Sequence, residues 1–595
     1  MMTLMGSDVI GYLFTAAMAI SFAGFVISAF LSKRDILAAL GKSIGPRALI
    51  ALFATIAFFV IFSLFFVHPA EQLYFDENIY QGIAINVLQH GNAEWCNYGT
   101  GYLRTCLSSV IYHDPVGWTF FMAIAFAAFG IGTATAYGLQ LLIGAVSIAL
   151  VFLFSLILLR SRAAAVLAAV FAATSPPLFV WSRTEAVVNL PFMAFTLLSF
   201  LMFYAFVKTG TRRAFAAFLM SLVMTLYMRV EAALLVPLFA FLYLFAAGSG
   251  ISDSVLSIPK RVRSIMSSKT ALLLLVAFAL LTLPELSFLM QQSQTGNYGQ
   301  TSSGLFSLSA FKSNIVPNVT FFLGMLNQIS SYPAVFPLET TVIAILGAIA
   351  LAVDTRVKDR YAILLALGLW VMTFHLFYDF FYAGSVLYGV DSRFMLEILP
   401  PLFVLAGFGV YSLSEAPFRI HAAFKAAMHP KRRKPARQSS TNPLAYALAF
   451  ALSVVLIAYP FIALMPNFTL EPGHMPQQSV VLRMVNFIYG NYASVPSNCL
   501  VFSFTPDVWY ELNRSAAQIG YFNTQGPSFV KFEKQFSCFV FDHGYWCNTE
   551  PFSTKTCGYY DSTYNTTALA SSLNSSGFGP AIYQLLNYTP GKVVT

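Results

Sequence analysis

The sequence predicts an all-α polytopic membrane protein with a small α+β domain outside the bilayer. Hydrophobic residues fill 57% of the 595 positions and charged residues only 10%, against about 45–50% and about 25% in ordinary soluble domains. Mean hydropathy is +0.69. Apolar runs long enough to cross a ~30 Å hydrocarbon core recur along most of the chain, which excludes both a soluble enzyme and a secreted one behind a single cleaved leader. From about Pro466 the character changes to polar, aromatic and cysteine-containing.

Taken in order, the apolar runs predict spans near 8–31, 46–67, 137–159, 163–180, 190–207, 214–228, 234–248, 270–290, 340–354, 361–381, 398–414 and 442–464, about twelve crossings in all. The stretch from Val116 to Ile131 is set apart as a juxtamembrane or re-entrant helix, because counting it as a crossing would invert every later loop. The chain thus divides into a membrane module over 1–465, with a first outer loop at 68–115, and an extracytoplasmic domain over 466–595. In that domain Cys499-Leu-Val-Phe-Ser-Phe504 and Ser537-Cys-Phe-Val-Phe541 read as strands bounded by turn residues.

Charge orients the spans. Lys33/Arg34/Lys42/Arg47, Arg160/Arg162, Lys208/Arg212/Arg213, Lys260/Arg261/Arg263/Lys269, Arg356/Lys358/Arg360 and the basic run from Arg419 to Arg437 lie in alternate loops and hold most of the 34 Lys and Arg residues. The positive-inside rule places these loops in the cytoplasm and both termini outside. The run around Lys431 could suggest nucleic acid, but beside membrane spans it reads as a topology signal resting on anionic headgroups, so no nucleic-acid partner is expected.

All six cysteines fall on the outer side, as do the Asn-x-Ser/Thr sequons at Asn318, Asn467, Asn513, Asn565, Asn574 and Asn587, which suits an oxidising compartment with access to glycosylation. Cys96 and Cys106 are expected to staple the first outer loop, whereas Cys499, Cys538, Cys547 and Cys557 admit three pairings. Their spacing is too wide for a zinc knuckle.

Five cations remain at the outer face: Arg104, Arg183, Arg229, Lys312 and Arg393. Each asks for a partner, either an anionic ligand or a neighbouring acid such as Glu185, Glu231 or Asp391. The first outer loop is acidic, and Tyr74-Phe-Asp-Glu-Asn-Ile-Tyr80 opens a predicted helix from Asp76 to about Gln89, ended by Gly91. Asp76 and Glu77 there either cap the helix or supply a general base that takes a proton from an acceptor hydroxyl. Successive residues point about 100° apart, so one of the pair faces a site while the other serves structure, and Asp76 shares its face with Tyr80. His375 and Asp379 form another polar pair, substrate-lining or structural, since a metal would need more ligands. The stretch from Gln291 to Tyr332 is either a loop closing over substrate or an ordinary connector.

This arrangement resembles the GT-C membrane glycosyltransferases. The residues that carry the likeness are the first span, the acidic loop opening with Asp76-Glu77, and His113-Asp-Pro-Val-Gly-Trp118 starting a helix that ends near Gly130. They continue with Ser175-Pro-Pro…Trp181-Ser-Arg-Thr-Glu185 and Asp391-Ser-Arg-Phe394…Pro400-Pro401. They are similar to the branch of protein O-mannosyltransferases and lipid A aminoarabinose transferases, over roughly residues 46–415. The chain departs from that branch at Asp114, where a proline is usual, and at Asn189, where an acid is common. No Trp-Trp-Asp-type motif of an oligosaccharyltransferase occurs.

The resemblance implies that Asp76 is the general base and Glu77 its supporting neighbour, with Arg393 and Arg183 on the phosphate of a polyprenyl-phosphate sugar. Tyr80, His113, Glu185, His375 and Asp379 are expected to line the substrate site. The implied partners are a polyprenyl- or dolichyl-phosphate-linked sugar, a protein or glycolipid acceptor, and the bilayer of a prokaryotic cell membrane or the endoplasmic reticulum. No metal site is expected, and a divalent cation is compatible as cofactor. Walker and dinucleotide fingerprints are absent, in keeping with a donor that is not a soluble nucleotide sugar. Competing readings are a transporter or lipid scramblase, which would put charges at mid-span in repeated halves, and a non-catalytic receptor or assembly factor, for which Asp76 and Glu77 would be dispensable.

Overall fold

The computed structural model describes residues 7–40, 44–67, 76–101, 104–112, 116–183, 188–245, 268–295, 306–324, 336–357, 359–382, 384–386, 390–428, 447, 451–452, 454–468, 476–519, 531–544, 547, 551–573 and 579–588. The chain enters through α1 (Ser7–Leu31), α2 (Lys33–Leu40) and α3 (Pro46–Phe66). It then forms α4 (Asp76–His90), the hairpin β1 (Trp95–Thr100) and β2 (Thr105–Val110), and α5 (Gly117–Phe129). Gly91 ends α4 as expected, at φ +69°, where a side chain would be strained. With 13 residues α5 spans only about 20 Å, too short to cross alone, and it packs on protein as the sequence reading requires.

The bundle continues through α6 (Thr133–Leu159), α7 (Arg162–Ala173), α8 (Pro176–Arg183), α9 (Asn189–Thr209), α10 (Arg212–Leu226) and α11 (Leu235–Phe245). It closes with α12 (Lys269–Thr295), α13 (Leu308–Phe322), α14 (Leu338–Val353), α15 (Arg360–Phe380), α16 (Leu399–Met428) and α17 (Tyr459–Phe468). Every apolar run read as a span overlaps a helix. Among the described residues seven helices are long and apolar enough to cross a membrane, eight when α7 and α8 count as one span bent by 54°. The bend falls where Pro176 and Pro177 withdraw two backbone donors. The remaining runs form shorter helices such as α10 and α14, of 15 and 16 residues, about 22–24 Å each.

Small residues set the tightest packing. Ala164 and Ala168 of α7 lie against Gly407 of α16, and Gly347 of α14 lies against the Leu405 carbonyl, so a Cβ at either glycine would strike backbone. Without a hydrophobic drive between helices in lipid, such close approach is a main source of association. Phe200 and Trp370 stack at 3.9 Å between α9 and α15.

Among the described residues, basic loop residues gather at one end of the bundle. Lys208 pairs with Asp359 at 2.8 Å, Arg356 bridges Asp354 and Glu415, and Thr211 donates to Asp35. At the other end sits a seven-stranded sheet in the order β2-β1-β4-β3-β5-β7-β6. Its remaining strands are β3 (Cys499–Ser503), β4 (Ser515–Gln518), β5 (Cys538–His543), β6 (Thr566–Ser571) and β7 (Ala581–Leu585), with α18 (Pro476–Asn491), α19 (Pro506–Glu511) and α20 (Pro551–Thr563) around them. Strands β4, β3 and β5 are parallel, and β1 adds to β4 antiparallel through Tyr98 opposite Ala517. The hairpin that follows α4 is thus built into the same sheet as the C-terminal strands. Cys96 pairs with Cys106 as expected, and the open choice resolves to Cys499–Cys538 and Cys547–Cys557.

Candidate active site at the sheet-bearing end

The first turn of α4, which begins at Asp76, brings Glu77 to the start of α6, while Arg183 at the end of α8 reaches the end of α3. Asp76 opens the helix backbone, and its side chain lies outside the described residues, as do His113 and Glu185. Glu77 is fully buried, and the Tyr137 hydroxyl donates to its Oε2 at 2.9 Å. Tyr137 also lies within electrostatic reach of Arg183. The Arg183 Nε reaches the Val67 carbonyl at 3.5 Å, and among the described residues no carboxylate pairs with its guanidinium. Glu77 and Arg183 are therefore brought together around Tyr137, a residue the sequence reading passed over. Gln140, one turn on from Tyr137, donates to the Trp181 carbonyl at 3.3 Å and ties α6 to α8. Tyr80 is buried with its ring edge-on to Tyr112 at 6.3 Å.

A second cluster lies on the 3-10 turns at Val230–Leu234 and Val390–Ile398, the latter packed against α8 and α9. Arg229 pairs with Glu231 at 2.5 Å, the near-neighbour partner considered from sequence. The Tyr378 hydroxyl donates to the same carboxylate oxygen at 2.7 Å and its ring stacks on Phe394. The guanidinium carbons of Arg229 and Arg393 lie 5.3 and 5.2 Å from the centre of the Phe394 ring, within cation–π range. Arg229 also acts on the fully buried Glu397, whose backbone carbonyl accepts from Trp370 Nε1 at 2.8 Å. Of the five cations read from sequence as outer, Arg183, Arg229 and Arg393 are half-buried at these clusters, whereas Arg104 and Lys312 are exposed.

His375 and Asp379 flank Tyr378 on α15 and form a unit of their own. His375 Nδ1 meets Asp379 Oδ2 at 2.7 Å, and Asp379 Oδ1 accepts from Asn318 Nδ2 at 2.8 Å. Asn318 also donates to the Gly384 carbonyl and accepts from the Val386 amide. Asn318 is fully buried within α13, so the expectation of an accessible sequon there is corrected. Its amide is consumed in holding α13 to the end of α15. The sequon asparagines Asn513, Asn565 and Asn587 are exposed, while Asn574 and the side chain of Asn467 lie outside the described residues. Among the described residues no group of three or more His, Cys, Asp and Glu side chains could hold a metal ion.

The bundle with its sheet-bearing end is similar to ArnT, the aminoarabinose transferase, from Cupriavidus metallidurans. The structure of that protein bound to undecaprenyl phosphate matches at TM-score 0.56 and 12% identity, over 91% of this chain and 98% of that one. Its apo structure matches at 0.54 and 13% identity, over 90% and 97%. No protein-family model and no curated protein matches the sequence. At such identities the likeness is one of fold, and the GT-C-like membrane fold is the one expected from the sequence resemblance.

Proposed function

We propose that the chain is a GT-C-type glycosyltransferase that moves a sugar from a polyprenyl- or dolichyl-phosphate carrier to a hydroxyl of a protein or glycolipid acceptor on the extracytoplasmic side. The observation that carries this reading is the convergence of the Asp76–Glu77 turn and Arg183 around Tyr137, in a fold shared with a protein solved with undecaprenyl phosphate. It supports a reading in which an acid of this turn takes a proton and the half-buried Arg183 holds a phosphate.

In the transfer, the bond between the sugar C1 and the phosphate oxygen breaks while the acceptor oxygen bonds to C1. Asp76 receives the acceptor proton. The lipid phosphate leaves with the bonding electrons, and its growing charge is met by Arg183, with Arg393 and Arg229 on the neighbouring turns. The burial of Glu77 and its bond from Tyr137 support the role of supporting neighbour, since a carboxylate so engaged holds the turn while Asp76 is left for the acceptor. His113, Glu185 and Tyr80 belong to the same reading as substrate-lining residues. The engagement of Asp379 by Asn318 favours the structural reading of its pair with His375.

A transfer assay of the purified chain against a panel of polyprenyl-phosphate sugars tests the proposal. Release of polyprenyl phosphate coupled to acceptor modification, with at least one donor, is expected. Failure with every donor while the protein is folded would remove it, and movement of label between leaflets without transfer would point to a scramblase instead.

A further inference from the structure

The outer domain reaches down to the helix that carries the acidic pair. Helix α19 starts directly after the central parallel strand β3, and its first turn places Asp507, 3% exposed, against α4. Asp507 Oδ2 accepts from the Trp95 indole at 2.9 Å, although the two residues are 412 positions apart. Among the described residues Oδ1 has no hydrogen-bond partner, and it faces Gly82, where an added Cβ would run into the carboxylate. Gly82 lies less than two turns beyond Asp76, about 9 Å along the helix axis.

The same helix is tied at its far end, where Asn86 donates to the Glu94 carbonyl just before β1, and at its near end by Tyr137 on Glu77. Helix α4 is thus pinned to the bundle through its first turn and to the outer sheet through its middle and end. Burial pushes the Asp507 carboxyl well above the usual carboxylate range, with Glu511 adding to the effect against the Trp95 hydrogen bond. Asparagine is therefore close to an isostere of the group as it stands.

We propose that the outer domain is a positioning element of the active site, in which Asp507, seated on Gly82 and held by Trp95, sets the height and rotation of α4 and so the place of Asp76. The inference rests on the reading of Asp76 as general base. Misplacing a catalytic group by about 1 Å costs up to about 10²-fold in rate, so the contact is expected to act on turnover and leave donor recognition at the cationic turns alone.

The test uses the full-length protein in detergent micelles or nanodiscs, with Gly82→Ala, Asp507→Ala, Asp507→Asn and the double variant Gly82→Ala/Asp507→Ala. Alanine ordinarily favours a helix over glycine, so any loss from Gly82→Ala comes from the collision with Asp507. Expected are a fall in kcat of at least about tenfold for Gly82→Ala with donor KM nearly unchanged, and most of the activity retained in Asp507→Asn but lost in Asp507→Ala. The double variant, where the methyl has room, should exceed Gly82→Ala alone.

Hydrogen exchange of peptide 76–90 is read in parallel and should rise in Gly82→Ala and fall back in the double variant. Wild-type kcat and exchange in Gly82→Ala, or a double variant no better than the product of the two single losses, would overturn the seating. Should Gly82→Ala fail to fold, equal kcat in Asp507→Ala and wild type would overturn it. The exchange arm does not depend on transfer, so restored exchange together with a fully active Asp76→Asn would leave the seating standing and remove the general-base reading instead.

Discussion

Asn318 donates its side-chain amide to the buried Asp379 carboxylate at 2.8 Å, and through this bond a sequon is used up as structure. Its Nδ2 also reaches the Gly384 carbonyl, and its Oδ1 takes the Val386 amide. A glycan on that nitrogen would take the hydrogen from one of the two acceptors and would have to fit into a fully buried site. Glycopeptide mass spectrometry is therefore expected to find no glycan at Asn318, with occupancy confined to exposed sequons such as Asn513, Asn565 and Asn587. Asn318→Ala should lower stability by about 1–3 kcal/mol, because it leaves buried polar groups unpaired. A glycosylated Asn318, or a neutral substitution, would contradict the buried arrangement.

Sidedness is checked by single engineered cysteines. Cysteines replacing Arg212 and Arg213, at the basic end, should be shielded from an impermeant thiol reagent added outside, while those replacing Arg104 and Thr567, all exposed positions, should react. The reverse pattern would turn the sheet-bearing end to the cytoplasm and remove the extracytoplasmic reading.

The spans were legible because a 20-residue apolar run has few other uses, and the hairpin was not. Trp-Cys-Asn-Tyr-Gly-Thr over 95–100 is covered on both faces, so it shows no two-residue alternation, and its partners Ala516 and Ala517 lie some four hundred residues downstream. The site was half legible for a similar reason. Glu77 and Arg183 stand out because charges are scarce near a membrane, whereas Tyr137, Tyr378 and Phe394 are what any span end carries, and only the fold shows that they join the charged groups. Arg229 was noticed, but its nearness to Glu231 concealed that it shares Phe394 with Arg393.

The cationic turns give a prediction on donor use. Arg393→Lys keeps the charge but loses the planar fork that grips two phosphate oxygens and lies over Phe394. Donor use, read as kcat/KM, should fall by about tenfold or more, corresponding to about 1.4 kcal/mol. Arg183→Lys should act likewise. Unchanged donor kinetics in both would assign these arginines to packing.

The sheet-bearing region should weaken as pH rises. Asp542 is buried with Oδ2 accepting from Ser503 at 2.7 Å and Trp509 at 3.0 Å, and burial pushes its carboxyl above the usual range despite those bonds and His543. A raised folded-state pKa means that the folded form keeps a proton the unfolded form has lost. Its stabilisation is complete below the ordinary carboxylate pKa near 4 and is lost as pH climbs through the higher folded value. Asp542→Asn mimics the protonated acid. Thermal unfolding followed from about pH 4 to about pH 8 should show the variant gaining on wild type as pH rises, and a parallel pair of curves would show that the aspartate is not held neutral.

The decisive prediction concerns Asp76. It opens α4, where the helix dipole favours an ionised carboxylate, and it precedes Glu77, whose own carboxylate is occupied by Tyr137. Asp76→Asn keeps size and most of the cap while removing the base. Turnover should fall by at least ~10²-fold with donor binding largely retained, because the lost interaction belongs to proton transfer in the transition state. Glu77→Gln should instead lose activity together with folded yield, since Tyr137 then donates to a neutral amide and the turn loosens. A normal Asp76→Asn beside a well-folded, dead Glu77→Gln would exchange the two roles. Two active variants would reduce the acidic pair to a helix cap, and the transfer chemistry would have to be sought at Glu231 and Glu397 on the cationic turns.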